Sequence, residues 1–209
     1  MTKRNTAQKL NIALAIGLII AIITSPFTVF AKECGQIRNE VLRLHIIPNS
    51  NTQEDQRIKV VIREKMLEID EQLFLNAGSR DKAIEIAKEN IEDIKKMVSE
   101  TLGVNGFGYG AKVEVCKMFF NTREYDTFTL PAGRYDAIRV TLGEGKGNNW
   151  WCVLYPTLCV PAASKKQDIN EVLTKSQQEL IEGKSEYEIR FASVEIWEKI
   201  KEYFAKDNK

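Results

Sequence analysis

Histidine is nearly absent from this sequence of 209 residues, because His45 is the only one. A metal site built from several histidines is therefore excluded, and we expect neither a metal nor a cofactor. A positive charge excess is also lacking, since 30 lysines and arginines face 29 acidic residues, for a formal net charge of +1. Nucleic-acid-binding proteins usually carry a basic excess, so the composition argues against a nucleic-acid partner.

Acidic residues are missing from the N-terminal region, where none occurs before Glu33. Three cations, at positions 3, 4 and 9, precede an uncharged apolar run over residues 12–23. Pro26 is expected to end this apolar helix. The layout is that of an export signal, and because its positive end stays in the cytoplasm, the rest of the chain should work on the outer side.

The exported body is predicted to begin at Lys32. Val29 and Ala31 are the small residues that a signal peptidase requires before its cut. This divides the chain into a signal peptide, residues 1–31, and one globular domain, residues 32–209.

The alternative is an uncleaved membrane anchor. Leu10–Phe30 is long enough to cross a hydrocarbon core of about 30 Å as a helix. The body would face outward in this case too, and only then would we expect the N-terminal segment to hold the protein at a membrane.

Cysteine is scarce, with four residues, too few for a disulfide scaffold. An exported protein can still oxidise the cysteines that meet. Cys152 and Cys159 are the best pair, because Pro156 between them can turn the chain back. We predict a disulfide between them, and two buried thiols are the alternative.

Hydrophobic periodicity predicts one strand and two helices early in the domain. Val41–Ile47 alternates as a strand that ends at a proline. A helix capped by Thr52 follows, and a second helix opens at Ser79 and stops at Gly103. Each helix has one apolar stripe and a charged opposite face, so the two should form an antiparallel pair laid on a sheet.

Further strands predict the fold class. The remaining elements are strands at Lys112–Phe120, Tyr135–Leu142 and Glu188–Phe191, an apolar block from Trp150 to Val160, and a C-terminal helix capped by Ser193. Residues 164–184 are polar without a clear period and are interpreted as a linker or a loosely packed helix. Neighbouring strands are close in sequence, so the predicted class is α+β: one domain with a mainly antiparallel sheet covered by the helix pair and the C-terminal helix.

The sequence GEGKGNN, residues 143–149, superficially resembles a phosphate-binding loop. A phosphate loop needs GxxxxGK followed by Ser or Thr, whereas here Gly147 follows Lys146. We therefore predict a structural loop whose glycines permit positive φ angles and close packing beside Trp150 and Trp151.

His45 ends a strand before a polar loop, a position at which catalytic groups are often displayed. A triad of His45, Asp55 and Cys152 or Ser50 can be written down, which leaves an exported hydrolase as the alternative function. No spacing supports that triad, so a structural or partner-contacting histidine is the favoured interpretation.

The block NNWWCVLYPTLCV is the most unusual stretch of the chain. On a strand, Trp150 and Trp151 must point to opposite faces. If one enters the core, the other lies outside, where a large aromatic residue is a good interface anchor. The alternative is that neighbouring elements bury both.

Three stretches resemble the stage II sporulation protein R family. They are RLHIIPNSNTQEDQRIKVVIRE from Arg43 to Glu64, LPAGRYDAIRVTLGEGKGNNWWCVLYPTLC from Leu130 to Cys159, and YEIRFASVEIWEKI from Tyr187 to Ile200. They occur in the expected order and span most of the body. The tryptophan and cysteine block is highly specific.

The resemblance implies an exported signalling protein of endospore formation rather than an enzyme. It would be made in the forespore and exported into the space between the forespore and mother-cell membranes. There it would activate a membrane-embedded aspartic protease that processes the mother-cell pro-sigma-E factor. The residues that we expect to contact the protease lie around the two tryptophans and the end of the first strand: His45, Asn49, Asp55, Trp150 and Trp151.

Overall fold

The computed structural model describes residues 2–125, 128–158, 172–182 and 188–206. The helices are α1 (Thr2–Asn39), α2 (Gln53–Leu73), α3 (Arg80–Glu89), α4 (Ile91–Val104), α5 (Lys175–Glu182) and α6 (Glu188–Lys206). The strands are β1 (Leu42–Ile47), β2 (Ala111–Phe120), β3 (Arg123–Glu124), β4 (Thr129–Leu130), β5 (Gly133–Leu142) and β6 (Trp150–Tyr155).

Four of the strands in this part of the chain form one sheet in the order β2-β5-β1-β6, and β3 and β4 form a separate ribbon. β1 runs parallel to β5, whereas the β1–β6 and β2–β5 pairs are antiparallel. The predicted α+β class and mainly antiparallel sheet are confirmed. Because β1 is central, His45 lies between Arg139 on β5 and Trp151 on β6.

One face of the sheet packs against α2, α3 and α4 and forms the first core. Alternate residues of β1 and β5 point into it, among them Leu44, Ile46 and Ile138, and they meet Ile62 and Val98 from the helices. All five side chains are at most 1% exposed. Full burial of such a side chain stabilises the fold by about 1.5–3 kcal/mol, so this core holds the three helices on the sheet.

The opposite face forms the second core, which is covered by the C-terminal half of α1 together with α5 and α6. Ile37 of α1, Ile181 of α5 and Val194 of α6 are fully buried there, beside Tyr135 and Val153 of the sheet. The two faces therefore have separate helical layers.

The helix starts at Thr52 and Ser79 are confirmed. The Thr52 hydroxyl accepts a hydrogen bond from the Asp55 amide at 3.3 Å, and the Ser79 hydroxyl accepts one from the Lys82 amide at 3.2 Å. The predicted second helix is in fact two, because the Asn90 side chain donates to the Ile86 carbonyl at 2.9 Å and its backbone leaves the helical region.

The prediction that Gly103 stops the second of these helices is wrong. α4 continues to Val104, and Gly106, with φ of 79°, adopts the left-handed conformation that follows the helix. The Phe107 amide donates to the Leu102 carbonyl at 3.0 Å across this turn.

Pro26 does not end the N-terminal helix, which continues to Asn39. Beyond the proline, Phe30, Cys34 and Ile37 lie at helical spacing and are buried in the second core, so packing outweighs the hydrogen bond that proline removes. The predicted cut before Lys32 falls inside α1 and stays a prediction. Over the described residues, no helix is both long and apolar enough to span a membrane.

The predicted strand at Glu188–Phe191 is wrong, because those residues begin α6. Ser193 lies inside this helix and is not its cap. Phe191 and Val194 are buried in the second core at a spacing that suits a helix, and this burial decides the conformation. Within residues 164–184, Lys175–Glu182 forms α5, and residues 159–171 and 183–187 lie outside the described parts of the chain.

Candidate functional site

Asp55, in the first turn of α2, gathers the polar loop that follows β1. Its carboxylate accepts hydrogen bonds from the Ser50 hydroxyl at 2.6 Å, the Asn49 amide at 2.9 Å and the Tyr109 hydroxyl at 2.5 Å. Asp55 is 5% exposed. Burial raises the pKa of this carboxyl, but the bonds from Ser50, Tyr109 and Asn49 outweigh burial and hold the pKa below its usual value.

The glycine-rich loop after β5 is joined to this same polar loop. The side chain of Asn49 links the two, because its Nδ2 donates to Asp55 while its Oδ1 accepts from the Glu144 amide at 2.9 Å. The Asn148 amide donates to Asn51 Oδ1 at 2.6 Å, and Lys59 Nζ donates to the Asn148 carbonyl at 2.9 Å. The polar loop of residues 48–52 and the glycine-rich loop of residues 143–149 therefore form one unit, although they are far apart in sequence. We call this unit the joined loops.

All six amides of residues 143–148 donate to protein acceptors. Besides the bonds from residues 144 and 148, the four other amides donate to the carbonyls of Gly110, Leu142, Asn49 and Pro48 at 2.9–3.0 Å. A phosphate loop needs free amides that wrap its ligand, and these amides are occupied. The prediction of a structural loop is therefore consistent with its hydrogen bonds.

Two glycines explain why the loop can lie so close to its neighbour. A Cβ atom on Gly147 would lie 2.1 Å from the Ser50 carbonyl oxygen. Gly143 has φ of 52°, and a Cβ there would lie 2.3 Å from Asn49 Oδ1. Larger residues would push the loops apart.

His45 points to the second face of the sheet and stacks on Trp151. The ring centroids are 3.8 Å apart and the planes differ by 8°. His45 is 3% exposed. Burial, together with the positive charges of Arg139, Arg43 and Arg123, lowers the pKa of His45 to about 4, so the ring is neutral at neutral pH.

Trp151 is half-buried above His45, and the Phe120 ring lies edge-on to it with the centroids 5.0 Å apart. The Arg123 guanidinium lies 5.1 Å from the Trp151 ring centroid, close enough for a cation–π contact. Arg139 is the β5 neighbour of His45, and the exposed Asn149 precedes the tryptophan pair. We call Arg123, Arg139, Asn149 and Trp151, with His45 beneath them, the Trp151 surface.

Arg43 lies next to this surface and is fully buried, a feature that the sequence analysis missed. Its guanidinium carbon is 4.0 Å from the Phe120 ring centroid and 4.9 Å from that of Tyr135, and Nη2 donates to the Tyr125 hydroxyl at 2.5 Å. The sequence feature that could have identified it is its position two residues before His45, which places both side chains on the same face of the strand. The aromatic rings stabilise this cation in place of water.

Trp150 lies on the opposite face, as the alternation on a strand predicted. It packs half-buried against the first core, and the Arg63 guanidinium lies 4.5 Å from its ring centroid. The five predicted contact residues therefore divide into three places. His45 and Trp151 stack on the second face of the sheet, Asn49 and Asp55 belong to the joined loops, and Trp150 lies on the first face.

The triad of the hydrolase alternative is not assembled. The Ser50 hydroxyl donates to Asp55, and the imidazole of His45 lies flat on Trp151. Within the residues that the structure describes, neither ring nitrogen of His45 makes a hydrogen bond of normal geometry, although the Asn149 side chain is near enough to oppose the fall in pKa. The same part of the chain contains no cluster of three side chains suited to hold a metal ion.

Cys152 is buried and disulfide-bonded, whereas Cys34 and Cys116 are free thiols. Cys159, its predicted partner, lies outside the described residues. The pairing of Cys152 with Cys159 therefore stays a prediction.

The fold and these contacts define a small α+β domain that displays a stacked histidine–tryptophan pair beside two joined loops. The chain matches the family of stage II sporulation protein R over residues 38–165, and it belongs to that family. It is 32% identical to Stage II sporulation protein R of Bacillus subtilis (strain 168) over 151 residues, which cover 70% of this chain and 67% of that protein. No solved structure matches. The resemblance seen in the sequence is confirmed, and the family assigns the chain a role in sporulation.

Proposed function

We propose that this protein is an exported signal between the two cells of a sporulating bacterium and is not itself an enzyme. It is made in the forespore and exported into the space between the forespore and mother-cell membranes. There it binds a membrane-embedded aspartic protease and activates it to process pro-sigma-E. Membership of the sporulation family supports this role.

The Trp151 surface is the proposed contact with the protease. It combines a half-buried tryptophan with two guanidinium groups, the side-chain types that most often act as interface hot spots. His45 fixes the tryptophan ring from below by stacking. A ring held in one orientation loses little entropy on binding, so it is well prepared as an anchor.

The joined loops support the proposed contact from the end of the sheet. The observation that carries the proposal is that two stretches of the family resemblance meet here through Asn49, which bonds to both Asp55 and Glu144. Asn49 and Asp55 are largely committed to these internal bonds. We therefore assign them the role of holding the ends of β1, β5 and β6 in register, and we assign direct contact to the Trp151 surface.

The test is activation of the protease in reconstituted vesicles that contain it together with pro-sigma-E. Arg123→Glu reverses a charge on the Trp151 surface at a half-buried side chain that is not a member of either core. We expect release of the mature sigma factor to fall about tenfold or more, as for the loss of a hot spot. Lys96→Glu, an equal charge reversal on the outer face of α4, is the matched control and should activate normally.

A folded Arg123→Glu variant that activates like the unaltered protein would reject this surface as the contact. Release of sigma factor from vesicles that lack the protease would instead support the hydrolase alternative. Intact mass of the exported protein tests the export step, because removal of residues 1–31 predicts an N-terminus at Lys32.

A further inference from the structure

Helix α6 buries Phe191 and Val194 near its start, but from Glu195 onward it turns a charged face inward and an apolar face outward. Three carboxylates at a spacing of three or four residues point at the domain. Glu195 accepts from the Thr122 amide at 2.9 Å, Glu198 pairs with Arg38 at 3.2 Å, and Glu202 pairs with Arg134 at 2.8 Å. Surface helices normally show the reverse arrangement, so the outward face of α6 needs its own explanation.

The outward face is a continuous apolar stripe. Its members are Ile196 at 61% exposure, Trp197 at 47%, Ile200 at 43%, Tyr203 at 66% and Phe204 at 62%. At 3.6 residues per turn these five positions fall within an arc of about 120°, on the side opposite the three glutamates. Contiguous exposed apolar surface of this kind marks a binding site more often than chance.

Two lysines border the stripe, one on each side. Lys199 lies on one edge and Lys201 on the other, where its ammonium is 6.0 Å from the Trp197 ring centroid. Both lysines are about half exposed, and their ammonium groups pair with Glu195 and Glu198 of their own helix. Such pairs contribute little, so the ammonium groups can exchange them for other anions.

We propose that this stripe, Ile196 to Phe204 of α6, docks the domain on an anionic lipid surface, with the helix lying in the plane of the membrane. Helices of this class carry a wide apolar face bordered by cations. Trp and Tyr are the residues that favour the boundary between headgroups and acyl chains. The lysines would then meet lipid phosphates, each worth a modest electrostatic attraction.

Chemistry favours lipid over a second copy of the chain. A pair of α6 helices would place the bordering Lys199 and Lys201 of one copy close to the same cations of the other. Lipid headgroups offer negative charge on both sides of the stripe. The inference does not depend on the proposed protease contact, because the Trp151 surface and this stripe share no residue.

The test must report on α6 alone, because α1 also exposes apolar side chains, at positions 10–18. The full chain is mixed with vesicles of phosphatidylglycerol and phosphatidylcholine that contain brominated acyl chains. Tryptophan quenching is compared with that of Trp197→Phe, and the difference isolates Trp197 from Trp150 and Trp151. Vesicles of phosphatidylcholine alone complete the comparison.

We expect the Trp197 signal to be quenched, more strongly when phosphatidylglycerol is present. Ile200→Glu should lower the affinity of the protein for vesicles, measured from this quenching, by at least about tenfold, because the helix face that enters the membrane loses an apolar side chain. Val104→Glu, at an exposed apolar residue of α4, should leave it unchanged. The comparison with Trp197→Phe needs neither Ile200→Glu nor Val104→Glu, so misfolding of either of these two cannot decide the question.

Absence of Trp197 quenching while the protein still floats with vesicles would overturn the proposal, because membrane contact would then come from α1. Equal quenching by neutral vesicles would overturn the anionic requirement. A lipid-free dimer that Ile200→Glu dissociates would show that a second copy covers the stripe instead.

Discussion

Asp55→Asn tests whether the carboxylate of Asp55 holds the joined loops together. The carboxylate accepts three hydrogen bonds, and bonds to a charged acceptor contribute about 1.5–3 kcal/mol each, against about 1 kcal/mol for neutral ones. The substituted amide can keep all three contacts only if the Tyr109 hydroxyl rotates to accept. Loss of charge at three bonds then costs about 3 kcal/mol.

A loss of this size is a large fraction of the 5–15 kcal/mol that typically stabilises a domain, so urea unfolding will detect it. Because the folded-state pKa of Asp55 is lowered, its contribution is fully present above the unfolded pKa of about 4 and is lost as the pH falls through the folded pKa. The difference between the two proteins should therefore be constant from pH 7 to about pH 5 and shrink below about pH 4.

The matched control is Asp93→Asn, at an exposed acid in the first turn of α4, which should change stability by less than about 0.5 kcal/mol. An Asp55→Asn protein within that same margin of the unaltered protein at pH 7 would refute the reasoning. So would a difference that stays constant down to pH 2, because it would then come from packing and not from charge.

The remaining predictions concern the loop, the histidine and the cysteines. Gly147→Ala should destabilise the fold by about 1–3 kcal/mol in thermal unfolding, whereas Gly108→Ala, which has open space around it, should not; equal effects would contradict the close approach of the loops. The folded-state pKa of His45 is lowered to about 4, so the unfolded chain binds its proton first as the pH falls. Stability should therefore fall between about pH 6.5 and pH 4, by at most about 1.4 kcal/mol per pH unit, and His45→Phe should flatten that slope; an unchanged slope would assign it to other groups. Digestion without reductant should yield a peptide pair joined through Cys152 and Cys159, and free thiols at both positions would contradict the bridge.

The sequence alone was enough to predict the elements whose signals are local. The strand that ends at Pro48, the caps at Thr52 and Ser79 and the opposite directions of Trp150 and Trp151 all depend on neighbouring residues, and all are confirmed. Strand termination at a proline, helix capping and strand alternation act over a few positions, so the sequence shows them directly.

The break at Asn90 could not be predicted, because it leaves the apolar period intact. Ala83 and Ala87 before it and Ile94 and Val98 after it are in phase and reach the same core. A continuous stripe is the signature of one helix, and only the three-dimensional packing shows that two helices share it.

The orientation of α6 was likewise beyond the sequence. Its apolar residues Val194, Trp197, Ile200 and Phe204 recur at helical spacing, a pattern that usually faces a core, yet only Val194 among them is buried. The spacing of a stripe does not say which face turns inward. Here Arg38 and Arg134, from distant elements, pair with the glutamates of the other face.

Family membership, the polar loops and the tryptophan block were therefore readable from the residues themselves, because each is a local pattern. The tertiary structure decided what those patterns touch. It stacked His45 on Trp151, joined Asn49 to both Asp55 and Glu144, and buried Arg43 among aromatic rings. Apart from the Asn49–Asp55 bond, these contacts join residues that are about 75 to 110 positions apart in the chain. No local preference encodes such pairings; they form because β2, β5, β1 and β6 lie side by side in one sheet.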